Sequence, residues 1–155
     1  MTQRPPVTRT ALISDSELHG YVKEGDFLDC YSAPAALPAR KAAEIIVDFP
    51  SWAQVLLRIR RLVTTPFGLS NEGPEADDKL GPFPVELDSE GEVIAGFDDK
   101  HLNFRVSVTS QNGRVALATW VRPHNFGGRL YLALIMPFHI AIARNAMARV
   151  AMHRD

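Results

Sequence analysis

The segment GFDDKHLNFRVSV, residues 96–108, sets two adjacent carboxylates, an ammonium group and an imidazole between apolar runs. Vicinal Asp98 and Asp99 beside His101 could orient the ring and poise it for proton transfer near neutral pH, which is general acid/base chemistry. The same residues also suit a hairpin corner, in which an Asp side chain caps backbone N–H groups and the charges stay in water. Successive strand residues point to opposite faces, so the two acids cannot both line one pocket unless the corner twists them. Parity with Val93, Ala95 and Phe97 turns Asp99 inward rather than Asp98. Read as an enzyme, the chain would use Asp99 as base and His101 or His124 as acid, with Arg105 or Tyr131 holding the substrate.

Arg105 alternates with Phe104 and Val106 and so points away from their face, where it could clamp a carboxylate or, more simply, pair with Asp98 or Asp99. His101, His124 and His139 are the one histidine set that could hold a metal, but they fall on three different elements and lack a compact ligand spacing. No metal and no cofactor is expected. In HNFGGR, Asn125 is a candidate helix cap, and Gly127 and Gly128 suit close packing of the helix start better than anion binding. Cys30, the one cysteine, reads as a small buried hydrophobe, and it excludes an intrachain disulfide.

These residues must be positioned by a fold, and 155 residues fit one domain that buries a core without staples. Apolar residues make up 46% and charged residues 23%, an ordinary globular balance. A net charge of -1 supplies no field for a phosphate backbone, so nucleic acid is not an expected partner. RIRRL, at 58–62, then reads as a solvated helix face. The longest apolar stretch, LYLALIMPFHIAIA, is shorter than the ~20 residues a membrane span needs and is interrupted by Pro137 and His139. A cytoplasmic protein with no membrane span is expected.

Residues 1–25 form a polar extension, with Ser14 and Glu17 spaced as a capping box, and 26–155 a single domain. DFLDCYSAP reads as a first strand. PARKAAEIIVDF and SWAQVLLRIRRLV read as consecutive amphipathic helices, the second with a stripe of Trp52, Val55, Leu56, Ile59, Leu62 and Val63. SNEGPEADDKLGP is an acidic loop. Beyond it the period becomes two, with Phe83, Val85 and Leu87 on one face, and QNGR is a hairpin turn, giving a four-strand antiparallel meander. A long C-terminal helix follows, with a kink expected at Pro137 and an inner face centred on Phe138 with Tyr131, Leu134, Ile135 and Ile142. It is apolar nearly all round, so its back is either buried or shared with a second copy in a homodimer. The fold class is α+β: an antiparallel sheet with two short helices and a long C-terminal helix packed across it, the helix-grip arrangement.

GPFPV, GFDDKHLNFRVSV, HNFGGRLYLALIMPFH and SWAQVLLRIRRLVTTPFGL together resemble the bacterial domain of unknown function 2867 over residues 26–150. That resemblance implies the birch-allergen-like, START-type helix-grip superfamily, whose other branches bind lipids, hormones or polyketides or act as cyclases and hydrolases. It brings no established catalytic residues. Some relatives carry an epimerase-like dehydrogenase domain, whose Gly-x-Gly-x-x-Gly turn this chain lacks. The expected function is therefore binding of an apolar or amphipathic small molecule between sheet and C-terminal helix. Tyr31, Phe97, Phe104, Arg105, Thr119, Trp120, Tyr131 and Phe138 are the residues expected around it, and acid/base catalysis on such a ligand or an oligomeric interaction module are the alternatives.

Overall fold

The computed structural model describes residues 7–64, 66 and 75–153, with the backbone alone at 60, 61, 63 and 64. The acidic loop expected from residue 70 therefore lies in part outside the described residues, as do the side chains of Arg61 and Val63 in the expected helix faces. Seven strands form one open antiparallel sheet: β1 Thr8–Arg9, β2 Phe27–Pro34, β3 Lys79–Leu80, β4 Phe83–Asp88, β5 Glu92–Asp98, β6 Leu102–Gln111 and β7 Arg114–Pro123, in the order β1-β2-β7-β6-β5-β4-β3. Three helices accompany them, α1 Ala39–Val47, α2 Ser51–Thr64 and α3 Phe126–Met152.

Local chemistry makes the meander. The β6–β7 hairpin turns at Asn112 and Gly113, with φ of 55° and 73°, the two positive angles that a two-residue hairpin loop demands. Gly96, at φ 145°, lies opposite Arg105 where β5 and β6 approach so closely that a Cβ would sit 2.4 Å from the Phe104 carbonyl oxygen. Between Val85 and Leu87 the β4–β5 register shifts, so Val85 pairs with Ala95 but Leu87 with Ile94. That bulge sends Leu87 to the opposite face from Val85, where strict alternation from sequence had kept them together.

The sheet has two differently built faces. On the inner face Tyr31, Ala33, Val93, Ala95, Val108, Val115 and Leu117 pack against Ala39, Ala42, Ala43 and Ile46 of α1 and Ala143, Ala146, Met147 and Val150 of α3. The alanines let both helices approach the sheet closely, and Arg149 ties them together by donating to the carbonyls of Ile45 and Asp48 at the α1 C-terminus, each at 2.6 Å. On the outer face Leu18, Cys30, Ile94, Ala118 and Trp120 form a second core under the N-terminal segment. Glu92 fastens that segment: its carboxylate accepts from Ser16 Oγ and Ser107 Oγ at 2.5 Å and from the Glu17 amide at 2.8 Å. Residues 1–25, expected as a polar extension, thus contribute an edge strand and a 3-10 turn, Glu17–Gly20, capped by Ser16 rather than Ser14.

Three expectations about helix faces need correction. The buried side of α3 carries Gly128, Ala143, Ala146, Met147 and Val150, whereas Phe138, placed at the centre of the inner face from sequence, is 50% exposed and Leu134 64%. Phe126, Leu130, Leu134 and Phe138 instead form an exposed row at intervals of four. Second, the apolar stretch expected to be too short for a membrane span lies within a 27-residue helix that contains Pro137 and by length and composition suffices to cross a membrane, although its C-terminal half is committed to the core. Third, the apolar stripe of α2 leaves Trp52, Val55, Ile59 and Leu62 exposed, and among the described side chains of that helix Ala53 is the buried one.

Candidate functional site

Asp99 is where sequence put a base, and the structure makes it the hinge of a turn. Its amide donates to the Leu102 carbonyl at 2.8 Å, and its Oδ1 accepts from the Lys100 amide at 2.8 Å. Asp98, the other acid, meets His124 instead, Oδ1 to Nε2 at 2.5 Å, with side-chain exposures of 57% and 36%. His101 faces the start of α3: Asn125 Oδ1 caps the Gly128 amide at 2.9 Å while its Nδ2 donates to His101 Nδ1 at 3.1 Å. The His124 amide donates to the His101 carbonyl at 2.8 Å. A Cβ on Gly128 would lie 2.1 Å from that same carbonyl oxygen, so the glycine serves close packing. Asp98, His101, His124 and Asn125 therefore weld the β5–β6 corner to the helix N-terminus. The triad Asp99, His101, His124 shares the corner, but the acid that reaches a histidine there is Asp98.

The expected binding residues are divided by the sheet. Tyr31, Phe97, Phe104 and Thr119 belong to the inner face by register, Phe97 opposite Phe104 and Thr119 between Asp29 and Val106. Trp120 and Arg105 pair with one another on the outer face and cannot share a pocket with them. Trp120 Nε1 donates to Asp26 at 2.9 Å, and its ring stacks near Tyr21 with centroids 5.4 Å apart. Arg105 pairs with Glu86 at 2.9 Å, not with Asp98 or Asp99, and donates to Asn103 Oδ1 at 2.5 Å and to the Phe104 carbonyl at 2.7 Å. Arg122 beside Asp26 holds that carboxyl well below the usual carboxylate range. Tyr131 is half-buried on α3.

One polar pair interrupts the inner face. Asp29 on β2 shares its face with Tyr31 and Ala33, and its Oδ2 lies 2.9 Å from His139 Nε2 on α3. The carboxylate is 3% exposed and the ring 20%. Phe27 meets the imidazole edge-on, centroids 6.1 Å apart. Asp29 Oδ1 has no hydrogen-bond partner among the described residues. An imidazole that gives its Nε2 proton to a carboxylate keeps Nδ1 as an acceptor. Sequence held half of the signal: an acid at a core parity on β2, and a histidine breaking an apolar helix.

The surroundings of this pair are unevenly covered. Ala33, Val93, Val108 and Val115 are buried under α1 and the C-terminal half of α3, while Phe27, Phe83, Phe97, Phe104, Val106 and Thr119 remain half-buried. Phe104 stands edge-on to both Phe83 and Phe97, at 5.5 and 4.9 Å between centroids. These half-buried side chains lie on the inner face towards the N-terminal half of α3, around the buried Val121 and Leu102. Two open clefts are present, one of about 510 Å³ beside the β6–β7 turn and one of about 330 Å³ along β1 and β2, whose lining includes Asp29. Cys30 is buried on the outer face, and burial pushes its thiol pKa up. No group of three or more His, Cys, Asp or Glu side chains placed to hold a metal occurs among the described residues.

Fold and site together define an α+β domain in which an antiparallel sheet carries a long C-terminal helix on its inner face. The chain belongs to the family described as "Protein of unknown function (DUF2867)", whose model matches residues 22–146. No match is found among curated proteins or among solved structures.

Proposed function

We propose that this protein binds an apolar or amphipathic small molecule between the sheet and the N-terminal half of α3. The observation that supports it is the uneven cover of the inner face: Phe27, Phe83, Phe97, Phe104 and Val106 stay half-buried, whereas Ala33, Val93, Val108 and Val115 are fully buried under α1 and the C-terminal half of α3. Removing apolar area of this kind from water is worth about 25 cal/mol per Å², enough for a ligand of modest size to associate. A largely apolar surface with a few convergent polar groups is the usual composition of such a site. The same sheet-and-helix build supports placing the fold in the START-like helix-grip superfamily, and a lone buried thiol suits a reducing cytoplasm.

Titration with the neutral probe N-phenyl-1-naphthylamine tests the reading. Saturable fluorescence enhancement is expected with the wild-type protein, and a loss of at least about tenfold in affinity for Val106→Trp, whose ring would fill the proposed site. Enhancement that never saturates, or a folded Val106→Trp that binds unchanged, would overturn it.

A further inference from the structure

We infer that α2 seats the protein on an anionic membrane surface, with its apolar row among the acyl chains and its arginines among the lipid headgroups. The inference is independent of the ligand reading, since α2 contributes none of the residues named there. Trp52, Val55, Ile59 and Leu62 are exposed, and among the described side chains of this helix Ala53 alone is buried. The four exposed residues are spaced by three, four and three, so they form one continuous row along the helix. Ala53 sits about 100° round the helix from Trp52. The side that meets the body is therefore not the side that carries the row. Exposed apolar patches of this kind mark interaction surfaces.

Charge selects the occupant. No Asp or Glu lies between Asp48 and Glu72, so all 18 acidic residues of the chain fall outside α2, whereas the helix holds Arg58, Arg60 and Arg61. Arg58 is exposed, three residues after Val55 and four before Leu62, and so borders the row. An arginine at that border keeps its guanidinium at the level of lipid phosphates while its methylenes follow the apolar side chains inward. Trp52 carries an amphipathic ring that suits the same boundary. A basic, amphipathic helix with tryptophan and aliphatic residues on one side is the composition of helices that lie in the membrane interface. The net charge of -1 gives no long-range attraction, so the pull has to come from this helix itself. A second copy docked α2 to α2 would offer the arginines no carboxylate, and a nucleic acid would leave the apolar row in water. Along the exposed row of α3, from Phe126 to Phe138, the sequence supplies one arginine, Arg129, so charge singles out α2.

Co-sedimentation of the full chain with sucrose-loaded vesicles tests this, comparing phosphatidylcholine alone with a mixture containing about 30% phosphatidylserine. Half-binding to the mixture is expected at a lipid concentration at least about tenfold lower, and binding should weaken in about 0.5 M NaCl. Trp120 is sealed in the outer-face core, so a blue shift of tryptophan emission on binding reports Trp52. Arg58→Glu and the double variant Ile59→Gln/Leu62→Gln should each lose at least about tenfold in vesicle binding with little change in urea midpoint, because Arg58, Ile59 and Leu62 all stand in water. Equal binding to both kinds of vesicle would remove the role of charge and overturn the inference. Undiminished binding by both variants would overturn it as well, by moving the contact to another face such as the row of α3. Absence of sedimentation with either vesicle would overturn it outright; a wild-type dimer that Ile59→Gln/Leu62→Gln makes monomeric would then assign the row to a second copy.

Discussion

Two Asp–His pairs span the same kind of junction, strand to C-terminal helix, and differ in what surrounds them. Asp98 and His124 meet at the β5–β6 corner, largely in water; Asp29 and His139 meet under the middle of α3, sealed from it on one side. The chemical groups are identical and the contact distances similar, so the difference lies in the medium. Water screens the outer pair and solvates either partner if the other leaves, which makes it replaceable. The inner pair has no such reserve. Removing one member strands the other, and the unmet oxygen of Asp29 shows that even the intact pair leaves one polar atom in need. Sequence drew attention to the corner because its charges are contiguous, yet the contiguous charges are the solvated ones.

The contrast fixes an order of effects. His139→Leu should be the most damaging single substitution, lowering stability to urea by about 3 kcal/mol because it leaves a buried carboxylate alone. Combining it with Asp29→Leu should recover most of that loss. A double variant as unstable as the single one would mean that the pair itself holds the helix, and the proposed difference between the two pairs would need another cause.

Asp26 supplies an intermediate case, a nearly buried carboxylate whose partner Arg122 is always charged, with Oδ2 to Nη2 at 2.7 Å. Its carboxyl pKa is depressed in the folded state, first by the hydrogen bonds from Arg122. A group lowered in this way contributes its stabilisation in full above the unfolded value near pH 4 and loses it as the pH falls towards the folded value. Asp26→Asn should therefore lower stability by about 2 kcal/mol at pH 7, with the gap to the wild type narrowing progressively below about pH 4. Urea midpoints measured at intervals from pH 7 to pH 3 read this directly; a gap independent of pH would detach the effect from the carboxylate charge.

The smallest change belongs to the corner. Asp98→Asn or His124→Gln should cost less than about 1 kcal/mol and should be insensitive at high salt, where an exposed ion pair is already screened. Losses matching those of His139→Leu would show that the corner pair is structurally equivalent to the buried one.

The meander was legible because its determinants are local: alternation in β5 and β6, and Asn112-Gly113 supplying two positive φ angles in a row. The phase of α3 was not. A helix apolar on every side offers no asymmetry to read, and its orientation is set by where Gly128, Ala143 and Ala146 permit close approach. In α2 the periodicity correctly marked an apolar stripe, but a stripe says nothing of what covers it. Leu87 was misassigned because a bulge is a one-residue event inside an otherwise regular pattern. Strand β1, two residues long, has no period at all. Within the candidate site, alternation set Phe97 and Phe104 by parity and turned Arg105 from the face of Phe104, but Thr119 and its neighbour Trp120, both expected around one cavity, lie on opposite faces of the sheet. The Asp29–His139 pair was beyond reach because it joins residues 110 apart in the chain, a relation that only the assembled fold creates.

The fastening of α3 has a mechanical consequence. At one end Asn125, His101 and the contact of Gly128 with a strand-end carbonyl grip the helix, and at the other Arg149 hooks it to the last carbonyls of α1. A beam clamped at both ends cannot swing like a lid; it can only bow at mid-span. Pro137 sits there, and its missing N–H deprives the Ala133 carbonyl of the bond that would stiffen that turn. The turn around Pro137 is therefore the part of α3 held least by its own backbone, between two ends that are each fastened to the rest of the fold.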